Sequence, residues 1–294
     1  MLDKKIAFIG SGAMAEAMIS GLLRHKLARP ENLYASDTRI ERVEALHKKY
    51  GVEPFTDNNR AANHAEVVVL SVKPQRLTDV LGNLKDGVPE SAVVLSIVAG
   101  ATIEKISKGL KHAAVVRSMP NTPAQIGEGI TVWIPSPAVS ESQKETARTI
   151  LGALGEEVIV DDENYLDMAT ALSGTGPAYV FIFMEAMIDA GVHMGFSRRV
   201  SEQLVIQTLR GSVDFYQAVN RKSSVHVAAL KNQVTSPGGT TAEALYYLEK
   251  AGFRTAISRA IWAAYQRSLE LGKEKPVHIP DTNNGNENKR AFQL

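Results

Sequence analysis

The first half of the chain alternates short apolar runs with amphipathic stretches. β-Branched runs occur at KIAFIG, NLYAS, EVVVLSV, SAVVLSIVAG, AAVVRSM, GITVWI and EEVIVD, and helical patterns such as AEAMISGLLRH and RIERVEALHKKY separate several of them. Short buried strands that alternate with helices are typical of βαβ units, so we expect a largely parallel sheet. The runs after Gly129 follow shorter connections, which allows antiparallel strands at one edge.

From Asp161 onward the strand runs stop and long helical patterns follow. Pro177 is a favoured first helical residue and Ser197 is a suitable N-cap, so each predicts a helix start. Further helices are predicted over about 225–234, from the TSPGGTT stretch to Gly252, and over 254–271.

This division predicts an α/β domain (1–162), an all-helical domain (163–275) and a polar tail (276–294). The helix from Pro177 is apolar on most of its circumference, and such a helix needs burial on all sides. We therefore expect the helical domain to form a homodimer with a second subunit, with a higher homo-oligomer as the alternative. Glu185, Asp189 and His193 recur every four residues, which predicts one polar helix face rather than a bilayer span or a metal site.

Composition narrows the class of protein. The chain has 294 residues, 44% of them hydrophobic, as expected for a soluble globular protein. A net charge of +1 gives no electrostatic footprint for nucleic acid or an anionic membrane. The absence of cysteine excludes disulfides, thiol nucleophiles and cysteine-ligated zinc. No signal peptide precedes the first strand pattern, so we expect a cytoplasmic protein.

The segment FIGSGAMAEAM carries Gly10-x-Gly12-x-x-Ala15 directly after a strand pattern and at the start of a helical one. Dinucleotide-binding turns require this context. Gly10 makes the tight turn, Gly12 lets the backbone approach a pyrophosphate, and Ala15 allows close packing of the helix on the strand. We therefore expect a Rossmann-type α/β domain whose first helix N-terminus faces the cofactor phosphates.

The second strand pattern ends at Ser36, Asp37, Thr38 and Arg39. An acidic residue here bonds the adenosine ribose and favours NAD, whereas an arginine holds a 2′-phosphate and favours NADP. Asp37 would equally well cap a helix that begins near Arg39. The sequence leaves the choice of cofactor open.

Six ordered motifs resemble those of the pyrroline-5-carboxylate reductases. They are FIGSGAMA, LSVKP (70–74), SIVAG (96–100), MPNTPA (119–124), LSGTGPAY (172–179) and SPGGTT (236–241), and the likeness extends to about Lys273. The resemblance implies a Rossmann domain followed by an all-α dimerisation domain that interlocks with a second copy. It also implies the reduction of 1-pyrroline-5-carboxylate to L-proline with NADPH, with NADH as the alternative cofactor.

The resemblance also implies which residues contact the cofactor. NADP-preferring members often have a serine or another uncharged group at the position of Asp37, so this chain departs from them there. The implied pyrophosphate contacts are Ile9, Gly10, Ser11, Gly12, Ala13 and Met14. The implied contacts with the adenosine are Ser36, Asp37, Arg39 and Asn58. The residues implied to line the cofactor cleft are Ser71, Val72, Lys73, Pro74, Ile97, Val98 and Ala99. Asn121 is implied to lie near the nicotinamide.

The SPGGTT stretch places much bare backbone before a helical run. Thr240 and Glu243 have capping-box spacing, which predicts a helix start at Thr240. Gly238 and Gly239 would then lie just outside, and the first amides with the helix dipole would form a nest for a small anion. We expect Gly238, Gly239, Thr240 and Thr241 to bind the substrate carboxylate, and the Thr241 hydroxyl to bond the ring nitrogen. An ordinary capped helix with a flexible entry is the alternative.

Two other functions share part of this pattern. A Rossmann-type sensor of cofactor redox state would regulate a partner, but a sensor needs no carboxylate nest. A related reductase would act on another cyclic imine or on a hydroxyacid, although the hydroxyacid branch normally has a lysine in the long helix, and the helix from Pro177 has none. Motifs in both domains favour the imine-reducing enzyme.

Overall fold

The computed structural model describes residues 2–272, and its first half is built on one eight-stranded sheet. The strand order is β3-β2-β1-β4-β5-β6-β7-β8, and all neighbouring strands are parallel except β6 and β7. The antiparallel strand that the sequence allowed after Gly129 is therefore β7. The strands are β1 (Ile6–Ile9), β2 (Leu33–Ser36), β3 (Glu53–Phe55), β4 (Val67–Leu70), β5 (Val93–Ser96), β6 (Val115–Met119), β7 (Gly129–Pro135) and β8 (Gly155–Ile159).

Helices cover both faces of the sheet, as its continuous apolar strands require. Every residue of β1, β4 and β5 is buried. One face packs against α1 (Ala13–Arg24), α2 (Ile40–Tyr50) and α6 (Glu141–Gly152). The other face packs against α3 (Asn58–Ala62), α4 (Leu77–Leu84) and α5 (Ile103–Leu110). Two hydrophobic cores therefore hold the strand ends in fixed positions.

The sequence patterns missed one strand, β3. It is three residues long, contains Pro54 and lies at the edge of the sheet beside β2. Proline cannot donate to a strand ladder, so it is tolerated only where one side of the strand is unpaired. A run this short with a central proline gives no strand signal of its own.

As far as residue 272, the second half is entirely helical. Its elements are α7 (Asn164–Ala169), a π-turn (Thr170–Gly174), α8 (Gly176–His193), α9 (Arg198–Asn220), α10 (Val227–Gln233), α11 (Thr240–Lys250) and α12 (Phe253–Gly272). The predicted cap of α9 is confirmed, because the Ser197 side chain accepts the Val200 amide. The helix predicted from Pro177 begins one residue earlier, at Gly176.

Within the single chain these helices bury very little. Ile182 is 65% exposed and Trp262 63% exposed, although both are large and apolar. By length and composition alone, residues 164–193 would suffice to cross a membrane. Asp189 of the predicted polar face forms an ion pair with Arg198 at 2.8 Å. The buried residues of α8–α12 within the described part are Gly191, Ser201, Val205 and Ser268.

The last strand ends at Ile159 and α7 begins at Asn164. The domain boundary at 162/163 stays a prediction. The predicted end of the helical domain at residue 275 and the polar tail at 276–294 lie outside the described residues.

Candidate active site

A cavity of about 600 Å³ opens where β1, β2 and β4 end. The sheet order passes from β2 through β1 to β4, so this cavity lies at a switch point, where open α/β sheets bind ligands. Eight of the residues predicted to contact the cofactor line the cavity: Gly10, Gly12, Asp37, Arg39, Asn58, Ser71, Val72 and Lys73.

The two glycines of the first turn have different reasons to be glycine. Gly10 has φ +91°, and an added Cβ would lie 2.7 Å from Val72 Cγ1. Gly12 has an ordinary φ of −72°, and an added Cβ would meet nothing within 4 Å. Gly12 is also the N-cap of α1, where no side chain caps the helix. Bare amides beside open space fit a bound pyrophosphate.

Asp37 is surrounded by donors from the protein itself. Its carboxylate accepts the Ser11 amide at 3.2 Å and the Arg39 amide at 3.1 Å. The Arg39 guanidinium adds two bonds, at 3.0 and 3.2 Å. Burial raises the pKa of Asp37, but the bonds from the Arg39 side chain and from the two amides outweigh burial and hold the pKa below its ordinary value of 3.8. Asp37 is thus a carboxylate at the cavity edge, paired with Arg39.

The interpretation of Asp37 as a helix cap is wrong. The helix α2 begins at Ile40, its N-cap is Arg39, and no side chain caps it. Asp37 lies two residues too early and instead closes a tight turn onto the Arg39 amide. Ser36 is fully buried, and its hydroxyl donates to Asn58 Oδ1 at 2.8 Å, so it orients Asn58 at the cavity wall.

Arg42 braces the glycine turn from α2, a contact that the sequence did not indicate. Its Nε donates to the Ser11 carbonyl at 2.5 Å, and its Nη2 donates to the Gly12 carbonyl at 3.3 Å and to Glu16 at 2.6 Å. In a planar trans peptide the carbonyl and the next amide point in opposite directions. Fixing these two carbonyls therefore also fixes the following amides, those of Gly12 and Ala13.

Glu16 in the first turn of α1 completes this brace. Hydrogen bonds from Lys49, Arg42 and Tyr50 outweigh its partial burial and lower the pKa of Glu16 to about 2, from an ordinary value of 4.5. A carboxylate near a helix N-terminus also interacts favourably with the helix dipole. The charge of Glu16 is thereby compensated before any anion binds at the turn.

The Glu16→Gln variant should be less stable at neutral pH by about 1 kcal/mol, the upper range for ion pairs that contact solvent. Because the folded-state pKa is depressed, the contribution of Glu16 is fully present above pH 4.5 and is lost as the pH falls toward 2. Urea unfolding of both proteins between pH 7 and pH 2.5 measures this. A difference that stays constant across that range would contradict the assignment.

The remaining predicted cofactor residues are not among those that line the cavity. Ile9 and Ser11 are fully buried, and Asn121 Oδ1 accepts the Ile130 amide at 3.0 Å. Ala13 and Met14 open α1, Pro74 follows Lys73 in the turn before α4, and Ile97, Val98 and Ala99 follow β5. Their contacts with a cofactor stay predictions.

Five lining residues were missed from the sequence. Arg76 lies three residues after Lys73 and adds a second cation to this edge of the cavity. Its signal is weak, because a lysine and an arginine around a proline turn are common on solvated surfaces. The five residues are Thr38, Arg76, Asp79, Val80 and Asn83.

The start of α11 differs from the predicted capping box. Thr240 is the first helical residue, but the N-cap is Gly239, and no side chain caps the helix. The third helical position is therefore Ala242, which has no carboxylate to reach back, and Glu243 lies one residue too far along. Gly238 has φ +68° and open space around an added Cβ. The helix thus begins with amides that no side chain covers.

The two candidate features are therefore an uncapped glycine turn beside a cavity in the first half and an uncapped helix start in the second half. Both halves of the chain match known protein families. Residues 163–271 match the model of the pyrroline-5-carboxylate reductase dimerisation family, and residues 5–100 match that of the coenzyme F420-dependent NADP oxidoreductases. A pyrroline-5-carboxylate reductase of Synechocystis sp. is 41% identical over 92% of this chain and 99% of that protein. The chain belongs to the pyrroline-5-carboxylate reductase family.

Other pyrroline-5-carboxylate reductases support the same assignment. The one from Methanosarcina acetivorans is 36% identical over 93% of this chain and its whole length. The crystal structure of the Plasmodium falciparum enzyme with NADP bound superposes with a TM-score of 0.84, at 34% identity over 93% of this chain and all of that chain. The predicted fold class is confirmed. The match to the dimerisation model indicates homo-oligomerisation through the helical half. A second subunit would bury the apolar faces that are exposed in the single chain.

Proposed function

We propose that the protein reduces 1-pyrroline-5-carboxylate to L-proline with NADPH, the last step of proline biosynthesis, in the cytoplasm. The observation that carries this proposal is the bare helix start at Gly12, next to a cavity at the sheet switch point, in a chain that belongs to this family. The Plasmodium falciparum relative was solved with NADP bound, which supports the same cofactor here.

The residues of the cleft orient the cofactor. The amides that follow Gly12 would hold the pyrophosphate, and Arg39 and Arg76 at the cavity edge would face the adenosine ribose and its 2′-phosphate. A bound nicotinamide supplies a hydride to the imine carbon. The chain's own contribution is to bind and align both partners, since proximity and orientation alone lower such a barrier by several kcal/mol.

The start of α11 is suited to the substrate. A carboxylate would accept the amides of Thr240 and Thr241, where the helix dipole adds about half a positive charge. The Thr241 hydroxyl would then reach the ring nitrogen. That nitrogen gains an electron pair as the C=N double bond is reduced, and it takes its proton from solvent. No acid or base with a shifted pKa is required for this role.

Turnover with the purified protein tests the proposal directly. NADPH absorbance should fall after addition of 1-pyrroline-5-carboxylate, with proline as the product by amino-acid analysis. A protein that binds NADPH but gives no proline, or that reduces a hydroxyacid precursor or a different cyclic imine in preference, would contradict it.

The Asp37→Ser variant should shift the cofactor preference toward NADPH. It removes a negative charge beside the 2′-position and frees the Arg39 guanidinium, which now donates two bonds to Asp37. We expect the ratio of kcat/KM for NADPH over NADH to rise by about five- to 100-fold, or ~1–3 kcal/mol. Steady-state kinetics with both cofactors measure this ratio. An unchanged ratio would show that Asp37 and Arg39 do not face the 2′-position.

We further propose that a homodimer completes the active site, with α11 of one subunit at the cleft of its partner. Among the described residues, the cofactor cavity is lined only by residues 10–83 of its own chain. The main contacts of α11 within the chain are with α12, and Gly238 and Gly176 both face open space in the single chain. A symmetric dimer would bring such a surface to two equivalent sites.

Mixed dimers distinguish a shared site from a site within one chain. Two differently tagged chains, one Gly12→Val and one Thr241→Ala, are co-expressed and the doubly tagged dimer is purified. If the site is shared, one of the two sites in that dimer has both halves intact, so turnover per dimer should return to about half of wild type. If each chain supplies its whole site, turnover stays at the residual level of the variants.

A further inference from the structure

A buried arginine links the sheet to the helical half. The side chain of Arg117, on β6, is 4% exposed. Its Nη1 donates to Glu163 Oε1 at 2.9 Å, and its Nη2 donates to Asp167 Oδ1 at 3.2 Å. Glu163 immediately precedes α7 and Asp167 lies within it. One guanidinium fork therefore spans from a central strand to the first helix of the second half.

Two further contacts extend this cluster. Asp167 Oδ1 also accepts the Ser268 hydroxyl of α12 at 2.6 Å. Glu163 Oε1 also accepts the amide of Ile103, the first residue of α5, at 2.8 Å. The Arg117 cluster (Arg117, Glu163, Asp167 and Ser268) thus fixes one strand and three helices relative to one another.

Stability alone does not explain a cluster of this kind. Taking charges out of water costs about as much as the ion pair returns, and apolar residues of similar volume often serve equally well. A planar guanidinium that donates to two carboxylates fixes both the distance and the relative orientation of the groups that it joins, whereas an apolar contact does not fix their orientation. The Arg117 cluster therefore points to a requirement for accurate geometry between β6 and α7.

The strand that carries Arg117 leads into the loop predicted to lie near the nicotinamide. Met119 ends β6, and Asn121 follows two residues later. From the other side, the π-turn after α7 comes against this loop, since a Cβ added to Gly174 would lie 2.8 Å from Met119 Cε. The cluster and this contact together set the separation between the loop and the helical half.

We propose that Arg117 is a positioning residue for hydride transfer, which holds residues 119–121 in register with α7 and α12. The proposal rests on the proposed reductase function. Hydride transfer requires the reacting atoms to lie about 3–3.5 Å apart, and a displacement of 1 Å costs up to about 100-fold in rate. Arg117 acts through the loop and touches neither cofactor nor substrate.

The Arg117→Lys variant keeps the positive charge but replaces the planar guanidinium, which donates to both carboxylates, by a compact ammonium group. We expect kcat to fall by about 10- to 100-fold, while the Kd for NADPH stays unchanged. The primary isotope effect with NADPH deuterated at the transferred position should rise, because hydride transfer becomes rate-limiting. The milder Ser268→Ala variant keeps both ion pairs and should lower kcat by roughly two- to ten-fold, with the same change in isotope effect.

Arg148→Lys is the matched control. Arg148 is 45% exposed and pairs with Glu145 on α6 and with Glu157 on the edge strand β8, neither of which belongs to the Arg117 cluster, so its kcat should equal that of wild type. A wild-type kcat and isotope effect in Arg117→Lys, or a parallel loss of NADPH affinity, would overturn the proposal. If Arg117→Lys does not fold, Ser268→Ala decides, and wild-type kcat there would overturn it. Turnover by the unmodified protein tests the reductase function separately.

Discussion

Gly12→Val should abolish NADPH binding while the protein remains folded. The Gly12 backbone has an angle that valine adopts readily, and an added Cβ meets nothing within 4 Å. The valine side chain would therefore fill the space in which we propose that the pyrophosphate binds against the first amides of α1. We expect the affinity for NADPH to fall at least about 100-fold, or roughly 2.8 kcal/mol. Fluorescence titration of NADPH, with thermal unfolding of the unliganded protein alongside, measures both quantities.

Gly10→Ala is the control that should behave in the opposite way. At φ +91° an alanine is strained, and its Cβ would lie 2.7 Å from Val72 Cγ1 and 3.0 Å from the Ser71 carbonyl oxygen. This variant should unfold at a lower temperature even without cofactor. A Gly12→Val protein that binds NADPH as tightly as wild type would show that the pyrophosphate lies elsewhere.

Thr241→Ala should lower turnover by roughly ten- to 1,000-fold, the range expected when one hydrogen bond that strengthens in the transition state is lost. The helix start is unaffected, because the N-cap of α11 is Gly239 and no side chain caps it. Cofactor affinity and thermal stability should therefore stay close to wild type. Steady-state kinetics at saturating NADPH and substrate measure the effect, and NADPH titration provides the reference.

Two neighbouring variants separate the hydroxyl from the backbone. Thr241→Ser keeps the hydroxyl and should retain most of the turnover. Gly239→Pro removes the amide that donates to the Ser236 carbonyl, and an added Cβ would clash with the Ser236 hydroxyl. The turn before the Thr240 and Thr241 amides is therefore disturbed, so KM for the substrate should rise as well. Full turnover by Thr241→Ala at saturating substrate would remove Thr241 from the mechanism and leave it a residue of the helix start.

The sheet and most helices could be predicted because their signals are local. Buried strands such as Val67–Leu70 are continuous apolar runs, and Ser197 alone predicts the start of α9. The edge strand Glu53–Phe55 could not, since its pairing with β2 rather than its own composition makes it a strand. The π-turn at Thr170–Gly174 was missed for a similar reason, because its main contacts are with α12, which lies about 80 residues further along the chain.

The candidate site was predictable where the backbone carries it. Gly10 stands out because a Cβ there would clash with Val72, and Gly12 stands out because it leaves open space beside the bare start of α1. The charged groups were harder to predict, since Arg42 reaches Ser11 across 31 positions and Arg117 reaches Asp167 across 50. The capping box failed for a smaller reason. Thr240 and Glu243 have the required spacing, but the N-cap of α11 is Gly239, so Thr240 already lies inside the helix and cannot cap it.

The sparse interior of the helical half has a consequence for how the protein is made. The sheet and its six flanking helices have their own cores and come first in the sequence, so this half can fold while the rest of the chain is still on the ribosome. The later helices must then wait for a second chain, with their apolar faces open to aggregation. Chains made side by side on one messenger RNA should therefore reach the active state in higher yield than chains released singly into dilute solution.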